Sequence, residues 1–262
     1  MPELPEVRTV VQFLNTLTGN RFLKIETHLE SMFSNTLTKQ LENQTIVSVS
    51  SHGKYIIFHL TDYDLISHLR MEGKYYYKDS YELTKHDHVV FTLDKGYLYY
   101  NDTRKFGTFD LRQGDTYSVP PLSRIAKEPF DITLDAFYHK IKKSRRAIKT
   151  LLLDQTIISG IGNIYADEIL FLSKIKPMKQ GNKITKKQAK TLIHQSINVL
   201  NDAIKLGGTT IHTFSSNDTV GWFQLKLYVH LRYNKPCKVC KTLIKKEKIN
   251  GRTSYYCEHC QQ

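Results

Sequence analysis

The spacing of apolar residues changes character twice along the chain. Val7, Val10, Val11, Leu14 and Leu17 recur at helical intervals, which predicts a helix over about residues 5–18 with Gly19 as its stop. From Arg21 to about Arg112 the apolar positions fall into short runs instead, over residues 45–50, 55–60, 64–69, 74–77, 89–93 and 97–100, punctuated by Gly53, Asp62, Gly73 and Lys95-Gly96. Many short strands at regular spacing predict an antiparallel sandwich or barrel. Val119-Pro120-Pro121 marks a loop or linker. Beyond Asp131 the period is helical again. Residues 134–143 and 144–154 read as helices, Ser159-Gly160-Ile161-Gly162 as a turn, and 163–172 as a further helix. Pro177 and Gly181 interrupt the chain before a long helix that starts at Thr185, where Gln188 three residues on completes a capping-box pattern. Leu192, Ile193, Ile197, Leu200 and Ile204 form its apolar face, and Gly207-Gly208 ends it. Residues 209–234 read as a loop and connector. The pattern describes a β-rich N-terminal part, a helical middle and a small C-terminal hairpin, with no internal repeat.

A chain of 262 residues with 40% hydrophobic and 24% charged positions is long enough to bury a core without disulfides, and its composition excludes wholesale disorder. No apolar run approaches the roughly 18 residues needed to cross a bilayer. The first residues carry two acids, Glu3 and Glu6, where a signal peptide has positive charge. These features predict a soluble, cytoplasmic protein with no membrane partner, and nothing suggests a self-complementary face, so a monomer is expected. The formal net charge is +13. Six basic residues and no acid lie between Lys140 and Lys149, seven and no acid between Lys174 and Lys190, and seven against two acids from Lys235 onward. A lysine run is usually a solvated helix face. Three clusters in the C-terminal half, one of them in a cysteine-bearing hairpin, point instead to phosphate contacts and a nucleic-acid partner.

All four cysteines, Cys237, Cys240, Cys257 and Cys260, lie in the last 26 residues with the spacing C-x2-C-x16-C-x2-C. Two such knuckles 15–20 residues apart are the pattern of a structural zinc site. Zn²⁺ takes four ligands in a tetrahedron, and a two-residue gap lets one tight turn supply two thiolates. The alternatives are two disulfides or four free thiols, and a reducing compartment disfavours the first. Four cysteines leave no open position, so one ion would be structural rather than catalytic. Between the knuckles, residues 243–256 read as a β-hairpin turning at Asn250-Gly251.

Several segments carry a resemblance. Met1-Pro2-Glu3-Leu4-Pro5-Glu6-Val7, Ser51-His52-Gly53-Lys54-Tyr55, His68-Leu69-Arg70-Met71-Glu72-Gly73, Asn101-Asp102-Thr103-Arg104-Lys105-Phe106-Gly107, Asp154-Gln155 with Gly160-Ile161-Gly162-Asn163-Ile164-Tyr165, Gly207-Gly208-Thr209-Thr210-Ile211, and the cysteine hairpin with Gly251-Arg252 occur in this order. Together they span essentially the whole chain. The sequence resembles the formamidopyrimidine-DNA glycosylases, bacterial base-excision repair enzymes that remove oxidised purines.

The resemblance implies an α+β, multidomain fold: an N-terminal β-sandwich with flanking helices over residues 1–130, a helical helix-two-turn-helix part with a lesion loop over 131–218, and a zinc hairpin over 219–262. It implies a bifunctional enzyme acting on double-stranded DNA that contains oxidised purines (8-oxoguanine, formamidopyrimidines) or abasic sites, by an N-terminal proline Schiff base and β,δ-elimination. Pro2 is then the nucleophile. With Met1 removed it presents an α-amino group, which titrates near 7.7–8.0 rather than near the 10.4 of lysine. Glu3 is the acid/base and Lys54 a second catalytic group beside a phosphate. Met71, Arg104 and Phe106 fill the void left by the flipped base, with Arg104 on the orphaned cytosine. His68, Lys149, Asn163 and Arg252 match further DNA contacts, the last held in place by the single structural zinc. Glu6, Glu72, Thr209 and Thr210 are assigned to the lesion pocket, over which a loop spanning 209–221 would close, with Thr209 and Thr210 at its stem and Ser215, Ser216, Asn217 and Thr219 offering polar edges. Taken singly, Met71 and Phe106 read as core residues, Lys54 as an exposed strand lysine, and Glu6 as a first-turn helix acid.

Two positions depart from the family pattern. His230 stands where tyrosine is usual, which puts one phosphate contact in question, and Trp222 replaces a smaller residue in a loop about one residue short. Competing readings are an endonuclease VIII-like activity on oxidised pyrimidines and a non-catalytic zinc-ribbon damage-binding protein.

Overall fold

The computed structural model describes residues 1–209 and 221–262. The chain divides into two compact units, Met1–Leu122 with Leu206–Trp222, and Ser123–Lys205 with Phe223–Gln262.

The first unit opens with α1 (Leu4–Asn15). Its buried stripe, Leu4, Val7, Val10 and Leu14, follows the helical spacing of the sequence. The chain leaves it through a turn at Gly19, whose φ of +89° suits glycine. β1 (Phe22–Thr27) and α2 (Asn35–Leu41) follow. Then come β2 (Ile46–His52), β3 (Tyr55–Leu60), β4 (Asp64–His68), β5 (Lys74–Lys78), β6 (Asp87–Leu93), β7 (Tyr97–Asn101) and β8 (Thr108–Arg112). They form two antiparallel four-stranded sheets, ordered β1-β6-β7-β5 and β2-β3-β4-β8. One core joins them. Phe22, Ile25, Phe91, Leu98 and Tyr100 of the first sheet and Ile46, Val49, Ile56, Phe58 and Leu65 of the second pack with Val7, Val10 and Leu14. This is the sandwich of the two alternatives. The opposite face of the second sheet is also covered, by Ile57, Ile66 and Leu122 with Tyr55 against them. Burial on both faces explains why β3 is an almost unbroken apolar run.

In the second unit, α3 (Leu134–Lys142), α4 (Ile148–Leu152), α5 (Asn163–Leu172) and α6 (Lys186–Lys205) form the helical part. Thr185 and Gln188 make the reciprocal capping bonds expected of them, at 3.1 and 3.2 Å. α5 is buried from Tyr165 through Phe171, so it is the central helix. α4 is shorter than the expected 144–154. The backbone before it is extended at Ala147, which bridges Gln180, and Ile148 N–H donates to Lys179 O rather than into a helix. The hairpin β9 (Lys245–Ile249) and β10 (Arg252–Tyr256) turns at Asn250-Gly251, both at positive φ, as a two-residue turn of that composition requires. No helix among the described residues is long and apolar enough to cross a membrane.

Candidate active site

Glu3 is the N-cap of α1, and its backbone N–H donates to Glu6 Oε2 at 2.8 Å. Pro5 in the first turn fits a helix start, since its missing N–H would have had no intrahelical partner. Pro2, Glu3 and Glu6 are all buried. Lys54 is 5% exposed and follows Gly53 in the two-residue turn between β2 and β3. Gly53 has φ +59°, the conformation a type II′ turn needs at its first central position. The Met1 amine senses this assembly. Burial lowers its pKa, Glu3, Glu6 and Glu72 oppose that, and Lys54 adds to it. Glu3, Glu6, Glu72 and Lys54 therefore lie within electrostatic reach of the Met1 amine.

Glu6 and Thr209, both expected in a lesion pocket, are largely spent on each other. Glu6 Oε1 accepts the Thr209 N–H at 2.7 Å and the Thr209 hydroxyl at 3.0 Å. Gly208, at φ +79°, allows this approach, because a Cβ there would lie 2.7 Å from Glu6 Oε1. Thr210, Ser215, Ser216, Asn217 and Thr219 lie outside the described residues. Glu72 accepts a hydrogen bond from the Thr103 hydroxyl. Trp222 is 57% exposed, and its N–H donates to Leu206 O at 2.9 Å.

His68 ends β4 and packs edge-on to Tyr55. Burial, then Arg70 and Lys54, pull its pKa down to about 3. The ring is thus neutral at pH 7. Its Nδ1 accepts the Arg70 N–H at 2.9 Å, which leaves the proton on Nε2 as a donor. Met71 and Phe106 are exposed at 37% and 51%, and the Arg104 guanidinium lies 4.9 Å from the Phe106 ring centroid. These apolar side chains are not core residues.

In the second unit, Gly160 at φ +88° turns the chain into α5, and its N–H donates to Gln155 Oε1 at 2.9 Å. Asn163 is the first residue of that helix, and its Oδ1 is buried without a hydrogen-bond partner among the described residues. The positive end of a helix dipole suits an anion. Arg252 is exposed at the start of β10. Lys149 does not fit its expected role. It is 1% exposed, with Nζ 2.7 Å from Asp167 Oδ1 and 2.9 Å from Thr253 O. An ammonium so enclosed braces the hairpin and does not meet solvent phosphate. His230 is likewise 6% exposed, its Nδ1 2.7 Å from Asp167 Oδ2. Glu168 accepts the N–H groups of Tyr228, Val229 and His230 at 2.7–3.0 Å. Asp167 and Glu168 escape motif reading. Their one signal is a pair of acids in an otherwise apolar helix, where burial demands partners.

The sulfurs of Cys237, Cys240, Cys257 and Cys260 lie within 4.8 Å of one another, with Cys237 to Cys260 at 3.9 Å and Cys240 to Cys257 at 3.4 Å. A tetrahedral zinc at about 2.3 Å from each sulfur sets them about 3.7 Å apart, whereas a disulfide needs about 2.05 Å. The four residues fit one zinc ion.

Residues 1–109 match the family described as Formamidopyrimidine-DNA glycosylase N-terminal domain, 125–215 its H2TH domain, and 234–262 the zinc finger found in FPG and IleRS. Curated relatives named Formamidopyrimidine-DNA glycosylase include one from Mycoplasma mobile, 42% identical over 100% of this chain and 99% of its own. Another, from Ureaplasma parvum, is 43% identical over 100% of both. A crystal structure of a Lactococcus lactis FPG mutant with a Fapy-dG containing DNA is 40% identical and covers 100% of each chain with a TM-score of 0.94. Another, of Lactococcus lactis Fpg with an abasic site containing DNA, is 39% identical with a TM-score of 0.93 and covers 99% of each. With matches in all three segments and full-length relatives above 40% identity, the chain belongs to the formamidopyrimidine-DNA glycosylase family.

Proposed function

We propose that this chain excises 8-oxoguanine and formamidopyrimidines opposite cytosine in duplex DNA and then cleaves the strand at the abasic site, in the bacterial cytoplasm. The relatives' crystallised complexes with Fapy-dG and abasic DNA support the substrate class. The observation that carries the chemistry is the start of α1, where Pro2, Glu3, Glu6 and Lys54 are all withdrawn from solvent and Glu3, Glu6, Glu72 and Lys54 lie within electrostatic reach of the Met1 amine, one residue before Pro2.

Pro2 is buried, and burial penalises a cation and so favours a neutral amine there. With Met1 removed, Pro2 offers its nitrogen lone pair to the sugar C1′. The bond from C1′ to the base breaks and the base leaves with the electron pair. Glu3 protonates the sugar ring oxygen, the ring opens, and the nitrogen, having lost its proton, forms an iminium with C1′. This cation acidifies C2′, so loss of a proton there expels the 3′ phosphate, and a further proton loss at C4′ expels the 5′ phosphate. Lys54, buried and within electrostatic reach of the chain start, assists as proton donor. Met71, Arg104 and Phe106 occupy the vacated stack, while His68, Asn163 and Arg252 hold phosphates. Zinc, when bound to its four cysteines, keeps the Arg252 hairpin folded.

A cleavage assay across defined duplexes tests this reading. Incision at 8-oxoguanine and formamidopyrimidine opposite cytosine is expected. Incision only at oxidised pyrimidines, or binding without incision, would overturn it.

A further inference from the structure

We infer that Tyr100 and Asp102 form a platform that fixes the spacing of Met71, Arg104 and Phe106, so that the three enter DNA as one preassembled wedge. The inference rests on the void-filling role proposed above.

The three side chains sit on two loops of the first unit. One lies between β4 and β5 and carries Met71; the other lies between β7 and β8 and carries Arg104 and Phe106. The second loop is wrapped around a single carboxylate. Asp102 is fully buried, its Oδ1 accepts the Arg104 N–H at 3.0 Å, and its Oδ2 accepts those of Phe106 at 2.9 Å and Gly107 at 2.8 Å. This fixes the backbone on both sides of Lys105, which is held at φ +58°. Asp102 is itself tied to the start of β6, since its carbonyl accepts from His88 Nε2 at 2.8 Å and its N–H donates to His86 O at 3.0 Å.

Tyr100 joins the two loops. Its side chain is 0% exposed, yet its hydroxyl finds no partner among the described residues. A buried, unpaired hydroxyl costs about 1–3 kcal/mol, so packing alone would favour phenylalanine. The hydroxyl has a steric use. A Cβ on Gly73 or on Gly107 would overlap it, so both loops close onto the ring tip only because each presents a glycine. The Thr103–Glu72 hydrogen bond adds a second link between the same loops. Their outer ends then carry exposed Met71 and Phe106, with Arg104 already stacked on Phe106. A wedge ordered before binding loses less entropy when it replaces a base.

The test uses full-length Gly107→Ala, Asp102→Asn and the double variant Gly107→Ala with Tyr100→Leu. Two quantities are measured: single-turnover excision of 8-oxoguanine opposite cytosine and opposite adenine, and borohydride trapping on a single-stranded abasic oligonucleotide, which has no stack to fill. Gly107→Ala and Asp102→Asn are expected to lose about a hundredfold in duplex excision and to flatten the cytosine preference, with trapping within about twofold of wild type. Shortening Tyr100 is expected to return about tenfold of the loss in Gly107→Ala. An unchanged cytosine preference, trapping that falls in step with excision, or a double variant no better than Gly107→Ala would overturn the platform. A wild-type protein that fails to trap would instead overturn the proposed function, and this inference with it.

Discussion

The Lys149 ammonium and the Asp167 carboxylate meet at 2.7 Å with side chains 1% and 0% exposed. Around this pair α4, α5, the connector at His230 and β10 at Thr253 are held together. Breaking such a pair from one side leaves a buried charge uncompensated, which costs about 3–5 kcal/mol. Asp167→Ala and Lys149→Ala are each expected to lose stability on that scale in urea unfolding. Replacing both by apolar residues, Lys149→Met with Asp167→Leu, is expected to recover most of it. A double variant as unstable as either single would show that the pair is not the unit.

Arg252 sits one residue from the Thr253 carbonyl that Lys149 holds, but its own side chain is exposed. Arg252→Ala should therefore leave thermal unfolding unchanged, weaken DNA binding independently of sequence, and lower the slope of log affinity against log salt by about 1. Fluorescence anisotropy titrations at several salt concentrations would read this.

The pH dependence of stability follows from His68. Its folded pKa is about 3 against 6.5 in the unfolded chain. Between those values the unfolded state binds more protons, so stability falls as pH drops from about 6.5 toward 3 and is unaffected by this group above 7. The difference at pH 5 is about 2 kcal/mol. A His68→Gln variant should lack this component, giving a flatter stability profile between pH 7 and 5 in denaturant titrations.

Zinc removal should act locally. The hairpin strand β9 is almost wholly exposed, and among the described residues the buried apolar cluster beneath it is Phe171, Val229, Cys237, Ile244 and Cys257, with Leu172, Tyr228, Cys240, Tyr255 and Cys260 partly buried against it. So small a core cannot fold unaided, and metal binding supplies the difference. Chelation is expected to abolish the hairpin signal in NMR spectra and reduce DNA affinity at least as much as Arg252→Ala, with recovery on adding zinc back.

Much of the fold is legible in the apolar period. β3 and α5 lie where the pattern puts them, because burial on all sides makes a run of apolar residues unavoidable. β1 was harder to specify. Only Phe22 and Ile25 face the core, and a register shift after Phe22 breaks the alternation. α2 is a short helix whose Ser34 cap is its main local signal. At the site, Pro2 and Glu3 are buried at the cap of α1 and Lys54 in the glycine turn after β2, places that a helix cap and a Gly53 turn make legible in the sequence. The role of Lys149 was not legible. A lysine in a basic run looks solvated until the acid that buries it, 18 residues away, is seen. The same holds for Tyr100, whose two glycine neighbours are brought together only by strand pairing.

The most direct test of the account is borohydride reduction of the mature protein with an 8-oxoguanine duplex, followed by peptide mass spectrometry. The account predicts a stable protein–DNA adduct whose linkage maps to the nitrogen of Pro2 as the first residue, absent in Pro2→Gly with Glu3→Gln. An adduct on a lysine, or an active protein that retains Met1 on Pro2, would contradict it.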